Sequence, residues 1–169
     1  MFRKFATHIR TTAIISLVLV LAISMAWATS TYSNRRTYAV GDGGNIRLVK
    51  SSDPILFYVY PGSLDSYLAE KDLNEVEITA EMTEELVKCA SHTHYHLYFT
   101  FGPSGLYFDK ANPAKLTING KYVTTGPDCH VWLFDEDGEA VSGTLKVDEG
   151  RVVFEIPHFS HYSYEQYDY

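Results

Sequence analysis

The chain has 169 residues, 46% of them hydrophobic, and 21 acidic against 14 basic side chains give it a formal charge of −7. That balance argues against nucleic acid and anionic lipid surfaces, which reward clustered Lys and Arg; beyond residue 28 the only adjacent basic pair is Arg35-Arg36. The length leaves room for one domain with a proper core.

The first predicted element is an export helix. Arg3, Lys4 and Arg10 precede an uncharged apolar stretch, Ala13 to Ala28, that ends in Ala26-Trp27-Ala28, the small-x-small pattern accepted by signal peptidase. Residues 1–28 are read as a signal peptide cleaved after Ala28, and the rival reading is a retained signal anchor. At 1.5 Å per residue the stretch covers about 24 Å, short of a hydrocarbon core of about 30 Å unless Thr11 and Thr12 are drawn in. The protein is therefore expected to be secreted, or held at the outer face of the cytoplasmic membrane through that segment alone. Cleavage removes three basic residues and no acidic one, which leaves the mature chain more acidic still.

Residues 29–42 read as a polar leader, and short β segments follow with turn signals between them. Asn45 to Lys50 and Pro54 to Tyr60 reach the breaker pair Pro61-Gly62, and in Asn74 to Thr79 the apolar Val76 and Ile78 alternate with Glu75 and Glu77. Leu64 to Leu73 and Glu81 to Cys89 have a weak helical look. Tyr98 to Phe108 reads as strand, glycine-proline turn and second strand. Lys115 to Ile118 reaches Asn119-Gly120, Cys129 to Phe134 reaches Asp137-Gly138, and Gly143 to Val147 reaches Glu149-Gly150 before Arg151 to Ile156; each carries a hairpin signal. Pro157 to Tyr162 closes the last strand, and residues 165–169 form a tyrosine-rich tail. The fold class is all-β, an antiparallel β-sandwich behind an N-terminal hydrophobic export helix, with Val76, Ile78, Leu97, Phe99, Phe101, Leu116, Ile118, Val131, Leu133, Val152, Phe154 and Ile156 inward.

Three groups of side chains carry chemistry. Cys89 and Cys129 are the only cysteines; in an oxidising compartment they form either a disulfide or two buried thiols acting as small hydrophobes. In His92-Thr93-His94-Tyr95-His96, alternation places His92, His94, His96, Tyr98 and Thr100 on one face and Tyr95, Leu97, Phe99 and Phe101 on the core face. Solvent-facing histidines two apart are able to grip Zn²⁺ or Cu²⁺ weakly, with Glu75 and Glu77 as candidate further ligands. His92 and His96 lie about 13 Å apart and cannot share one ion. A solvated polar face is the plainer reading, and no metal or other cofactor is expected. Gly41-Asp42-Gly43-Gly44 lacks the Lys and helix of a phosphate loop, Ser104 is a turn residue, and Asp135-Glu136-Asp137 reads as a hairpin tip.

Four segments together resemble one family. Asp53 to Leu64 (DPILFYVYPGSL), Phe101 to Phe108 (FGPSGLYF), Pro113 to Ile118 and Ile156 to Tyr162, with its His-Phe-Ser-x-Tyr, are similar to the successive motifs of ZU-five domains, the β-sandwich modules named after zonula occludens and netrin-receptor proteins. The resemblance covers residues 43–164 and departs from the pattern at Ala111-Asn112, an apparent insertion. It implies an accessory or adhesive module of the exported microbial type. Some animal relatives cut themselves between the Phe and Ser of His-Phe-Ser, which maps the scissile bond to Phe159-Ser160, the nucleophile to Ser160 and a base to His158. On an unbroken strand His158 and Ser160 share the inward parity of Val152, Phe154 and Ile156, a parity that a bulge at Pro157 would reset.

The reading is an exported, non-enzymatic sandwich that binds a protein or carbohydrate partner through loops or a tyrosine-rich surface. Self-cleavage at Phe159-Ser160 is the first alternative and weak metal binding at His92, His94 and His96 the second. Nucleic acid is not an expected partner, and membrane contact is expected only through an uncleaved N-terminal segment.

Overall fold

Residues that alternate apolar and polar with period two lay one face of a strand on a core and leave the other wet. The computed structural model describes residues 29–49, 54–88, 93–123, 129–146 and 150–168. In chain order the elements are β1 (Thr29–Ala39), β2 (Gly44–Arg47), β3 (Leu56–Val59), helix α1 (Asp65–Glu70), β4 (Glu75–Lys88), β5 (Thr93–Gly102), β6 (Ala114–Asn119), a 3-10 turn (Gly120–Tyr122), β7 (Cys129–Phe134), β8 (Gly143–Lys146), β9 (Arg151–Ile156) and β10 (His161–Asp168). Two five-stranded sheets result, ordered β1-β4-β5-β10-β7 and β2-β3-β6-β9-β8, and every strand pairing in them is antiparallel.

The two sheets bury one common core. Val76, Ile78, Leu97, Phe99, Phe101 and Leu133 enter it from the first sheet, and Leu116, Ile118, Val152, Phe154 and Ile156 from the second; Val131 packs against its margin, half-buried. Phe57 of β3 lies 4.7 Å, centroid to centroid, from Phe101 of β5, and Phe154 of β9 stands edge-on to Tyr164 of β10 at 6.2 Å. Aromatic pairs at these separations add to the burial of their area. The arrangement is sandwich-like.

Several segments differ from the sequence reading. Residues 29–42 do not form a leader ahead of the fold: β1 pairs with β4 along its whole length, from Thr29 opposite Glu85 to Ala39 opposite Glu75, and carries Arg35 and Arg36 with it. Tyr38 of β1 is fully buried and its hydroxyl donates to the Gly44 carbonyl at 3.3 Å. The helical look of Glu81 to Cys89 is overruled as far as Lys88, because Ala80 and Met82 continue the inward set of Val76 and Ile78 and the stretch pairs on both sides. Leu64 to Leu73 does form a helical turn, α1, which buries Tyr67 and Leu68. Residues 165–168 are strand and not tail, since Glu165 and Gln166 pair with Trp132 and Val131.

Turn signals proved sound as chain reversals but silent about the sheet that follows. Gly150 (φ +57°) joins β8 to its neighbour β9, as a hairpin does. The Asn119-Gly120 and Asp137-Gly138 turns instead carry the chain from one sheet to the other, because β6 and β8 belong to the second sheet and β7 to the first. At the latter turn the Asp135 carboxylate accepts from the backbone N–H of Asp137 at 3.1 Å and of Glu139 at 2.9 Å, closing the loop locally.

Candidate functional site

The closing segment begins where β9 ends. Pro157 has no N–H to donate, so the ladder stops there and the chain crosses from the second sheet to the first. On the way His158 bridges Tyr107, which is all that remains of the second strand expected after the glycine-proline turn; the Gly102-Pro103 peptide in that turn is cis. Three backbone bonds fix the crossing: Phe108 N–H to Pro157 O at 3.0 Å, Phe159 N–H to Leu106 O at 2.7 Å and Phe101 N–H to Ser160 O at 3.2 Å.

This crossing overturns the unbroken-strand parity. His158 is exposed, whereas Phe159 and Ser160 are both buried. Phe159 is the pivot of an aromatic cluster: it stacks on Phe101 at 5.4 Å and stands 5.5 Å from Phe57 and 5.2 Å from Phe108. The Ser160 hydroxyl donates to the His161 carbonyl at 3.5 Å, a long bond, and among the described residues no hydrogen bond joins it to a histidine ring. The His158 ring lies 6.3 Å from that of Tyr162, whose hydroxyl donates to the His158 carbonyl at 2.7 Å. Burial raises the Tyr162 phenol well above its ordinary pKa, and the charges of Asp135 and Glu136 add to the rise, so the hydroxyl keeps the proton it donates. The nearest imidazole bond in this region is from His161, whose Nδ1 lies 3.0 Å from Thr100 Oγ1. Beside the crossing, His158 lines a cavity of about 700 Å³ with Tyr107, Asp109, Asp135 and Glu155.

The histidine face has the alternation read from the sequence. Leu97, Phe99 and Phe101 are buried while Tyr98 is 44% exposed, and His94 and His96, half-buried, bring their ring centroids to 5.2 Å. The register does not bring Glu75 and Glu77 to them. His94 lies opposite Val87 and His96 opposite Glu85, whereas Glu77 is eight residues back along β4, about 26 Å away, ion-paired to Arg35 at 3.7 Å. The carboxylate on this row is Glu85, which accepts from the Tyr98 hydroxyl at 3.4 Å. Among the described residues no group of three or more His, Cys, Asp or Glu side chains is placed to hold a metal ion. His92 and Cys89 lie outside the described residues, as do residues 1–28, and Cys129 enters only as the first residue of β7.

Sequence reasoning missed a polar chain between the sheets. Tyr164 donates to the Tyr122 carbonyl at 2.8 Å, and the Tyr122 hydroxyl donates to Glu84 at 2.5 Å, with Lys121 3.5 Å from the same carboxylate. Burial raises the Tyr122 phenol strongly, and its bond to Glu84 raises it further. These partners are separated by about forty positions, so nothing in local spacing announces them. The same burial takes five of the thirteen tyrosines off the surface: Tyr38, Tyr67, Tyr122, Tyr162 and Tyr164 are core residues.

What the fold defines is a class, a two-sheet antiparallel β domain closed by an aromatic plug. No family model, curated protein or solved structure matches this chain. Among the described residues no helix is long and apolar enough to cross a membrane.

Proposed function

We propose that the chain is an exported, non-enzymatic β-sandwich module of the ZU-five type that binds a protein or carbohydrate partner at the cell surface or outside the cell. The observation that supports this most is the use made of His-Phe-Ser: Phe159 fills the core, Ser160 is bonded to a carbonyl, and His158 faces away from it. A hydroxyl without a base on its proton is a weak nucleophile. The first sheet supplies a recognition surface in Tyr98 and Trp132, large aromatic side chains that are 44% and 42% exposed on its outer face.

Two measurements test the reading. Purified mature chain beginning at Thr29 is expected to be retained on intact cells of its own source, and pretreating those cells with periodate or with protease tells a glycan from a protein partner. A chain that stays wholly in the supernatant removes the interaction reading. The intact mass of the folded wild-type chain is expected to be that of a single polypeptide, identical in behaviour to Ser160→Ala. Two associated fragments meeting at Phe159-Ser160, abolished by Ser160→Ala, would make the domain a self-processing device.

A further inference from the structure

We infer that β7 is a dimerisation edge, at which a second copy of the chain adds its own β7 antiparallel about a two-fold axis centred on His130. The four edges of the two sheets are finished differently, and that difference, independent of the partner proposed above, singles out β7. β1 carries Arg35 and Arg36, and two of its N–H groups are capped locally, Arg35 by the Asn34 side chain at 2.8 Å and Ala39 by the Asp42 carboxylate at 2.9 Å. On β2 the carbonyls of Asn45 and Arg47 accept from the side chains of Arg36 at 3.5 Å and Asn34 at 2.9 Å. β8 is four residues long and ends on Lys146. Charge, capping and brevity are the means by which an edge is kept from adding a strand. β7 has none of them: Cys129–Phe134 contains no Asp, Glu, Lys, Arg, Pro or Gly.

The backbone of β7 shows what fits it. β10 pairs one side of the strand, and no strand of the sheet pairs the other. The chain itself begins that second ladder and abandons it: the Val141 N–H donates to the Leu133 carbonyl at 2.7 Å and the Asp135 N–H to the Glu139 carbonyl at 3.0 Å, before Ser142 joins the second sheet by accepting from Glu155 at 3.2 Å. Backbone groups alternate sides along a strand, so Val131 and Cys129 aim their N–H and C=O the same way as Leu133. Among the described residues no backbone group meets them. Val141 already lies opposite Leu133, which leaves Cys129 to Trp132 as the open length. An antiparallel copy that fits this length sets Val131 opposite Cys129 of the second copy, where the two exchange N–H···O=C bonds, and sets His130 opposite its own counterpart. The overlap brings no carboxylate, ammonium or guanidinium of β7 against another, so copies of a chain of net charge −7 meet here with least repulsion. Beside the edge is an apolar cavity of about 410 Å³ lined by Val131, Val141, Val152 and Phe154, and a strand laid along β7 shields it from water. The same patch serves both copies, so the pair closes on itself and does not extend into a fibre.

The test is sedimentation equilibrium on the chain beginning at Thr29, which holds every described element, from about 1 μM to about 1 mM. A reversible rise from monomer to dimer mass is expected. His130→Lys alone and His130→Glu alone each set like charges directly opposite one another and are expected to weaken association about tenfold at low salt; an equimolar mixture of the two variants is expected to recover it as a heterodimer. The position is exposed, and a folding defect in either variant does not produce that recovery. Monomer across the whole range overturns the proposal. A dimer left intact by both single variants also overturns it, since its interface then lies elsewhere, and so does a loss in both that mixing does not reverse.

Discussion

Phe159→Ala lowers the stability of a chain beginning at Thr29 by about 3–5 kcal/mol, the range for emptying a buried aromatic site. The expectation follows from its position and not from its motif. The ring is 2% exposed and touches Phe57 of the second sheet, Phe101 of the first and Phe108 of the loop between them, so the void opens where both sheets and the crossing meet. Relaxation is limited because the same residue is pinned by its N–H to the Leu106 carbonyl at 2.7 Å. Urea unfolding of the wild type and the variant measures the loss. Phe159→Leu, which keeps part of the volume, is expected to lie between them. A Phe159→Ala chain within about 1 kcal/mol of wild type would show that the cluster is not the core of the closing segment.

Removing β1 costs the fold at least as much. A chain beginning at Gly41, compared with one beginning at Thr29, is expected to lose about 3 kcal/mol or more, since the buried Tyr38 alone belongs to that class of loss. The cut also exposes the backbone of β4 from Glu75 to Glu85 as a new sheet edge, which invites aggregation. It further deletes Asn34 and Arg36, which hydrogen-bond to the carbonyls of Arg47 at 2.9 Å and Gly43 at 3.2 Å and so tie the edge of the first sheet to the second. Thermal and urea unfolding of the two chains decide the matter. Equal midpoints would restore residues 29–42 to the status of a leader.

Much of the core was legible from period two alone: Val76 with Ile78, Leu97 with Phe99 and Phe101, and Val152 with Phe154 and Ile156 each face inward as alternation requires. Legibility ended where a rule of local spacing met a long-range choice. β1 escaped notice because only Tyr38 of its eleven residues is fully buried, so its pattern is that of a polar loop until β4 is laid beside it. Glu81 to Lys88 is rich in residues that favour helix, and pairing on two sides outweighed that preference. The geometry around the candidate residues was hidden for the same reason. His158 and Ser160 share a parity only if the strand continues, and Pro157 ends it; Glu85 stands opposite His96 in place of Glu75 or Glu77 because the register of β4 on β5 is set across the connection between them.

The order of strands in the first sheet has a consequence for the order in which the chain can assemble. β10, the latest strand in the sequence, occupies an interior place between β5 and β7, and β7 has no other neighbour in that sheet. A polypeptide emerging N-terminus first therefore delivers β1, β4 and β5 as a three-stranded platform, while β7 lacks its neighbour in that sheet until residues 161–168 arrive. Assembly is timed by the last piece to emerge. Pairings of such long sequence separation form slowly, which keeps the chain open during synthesis and concentrates its exposure to misassociation in the moment just before the gap between β5 and β7 is filled.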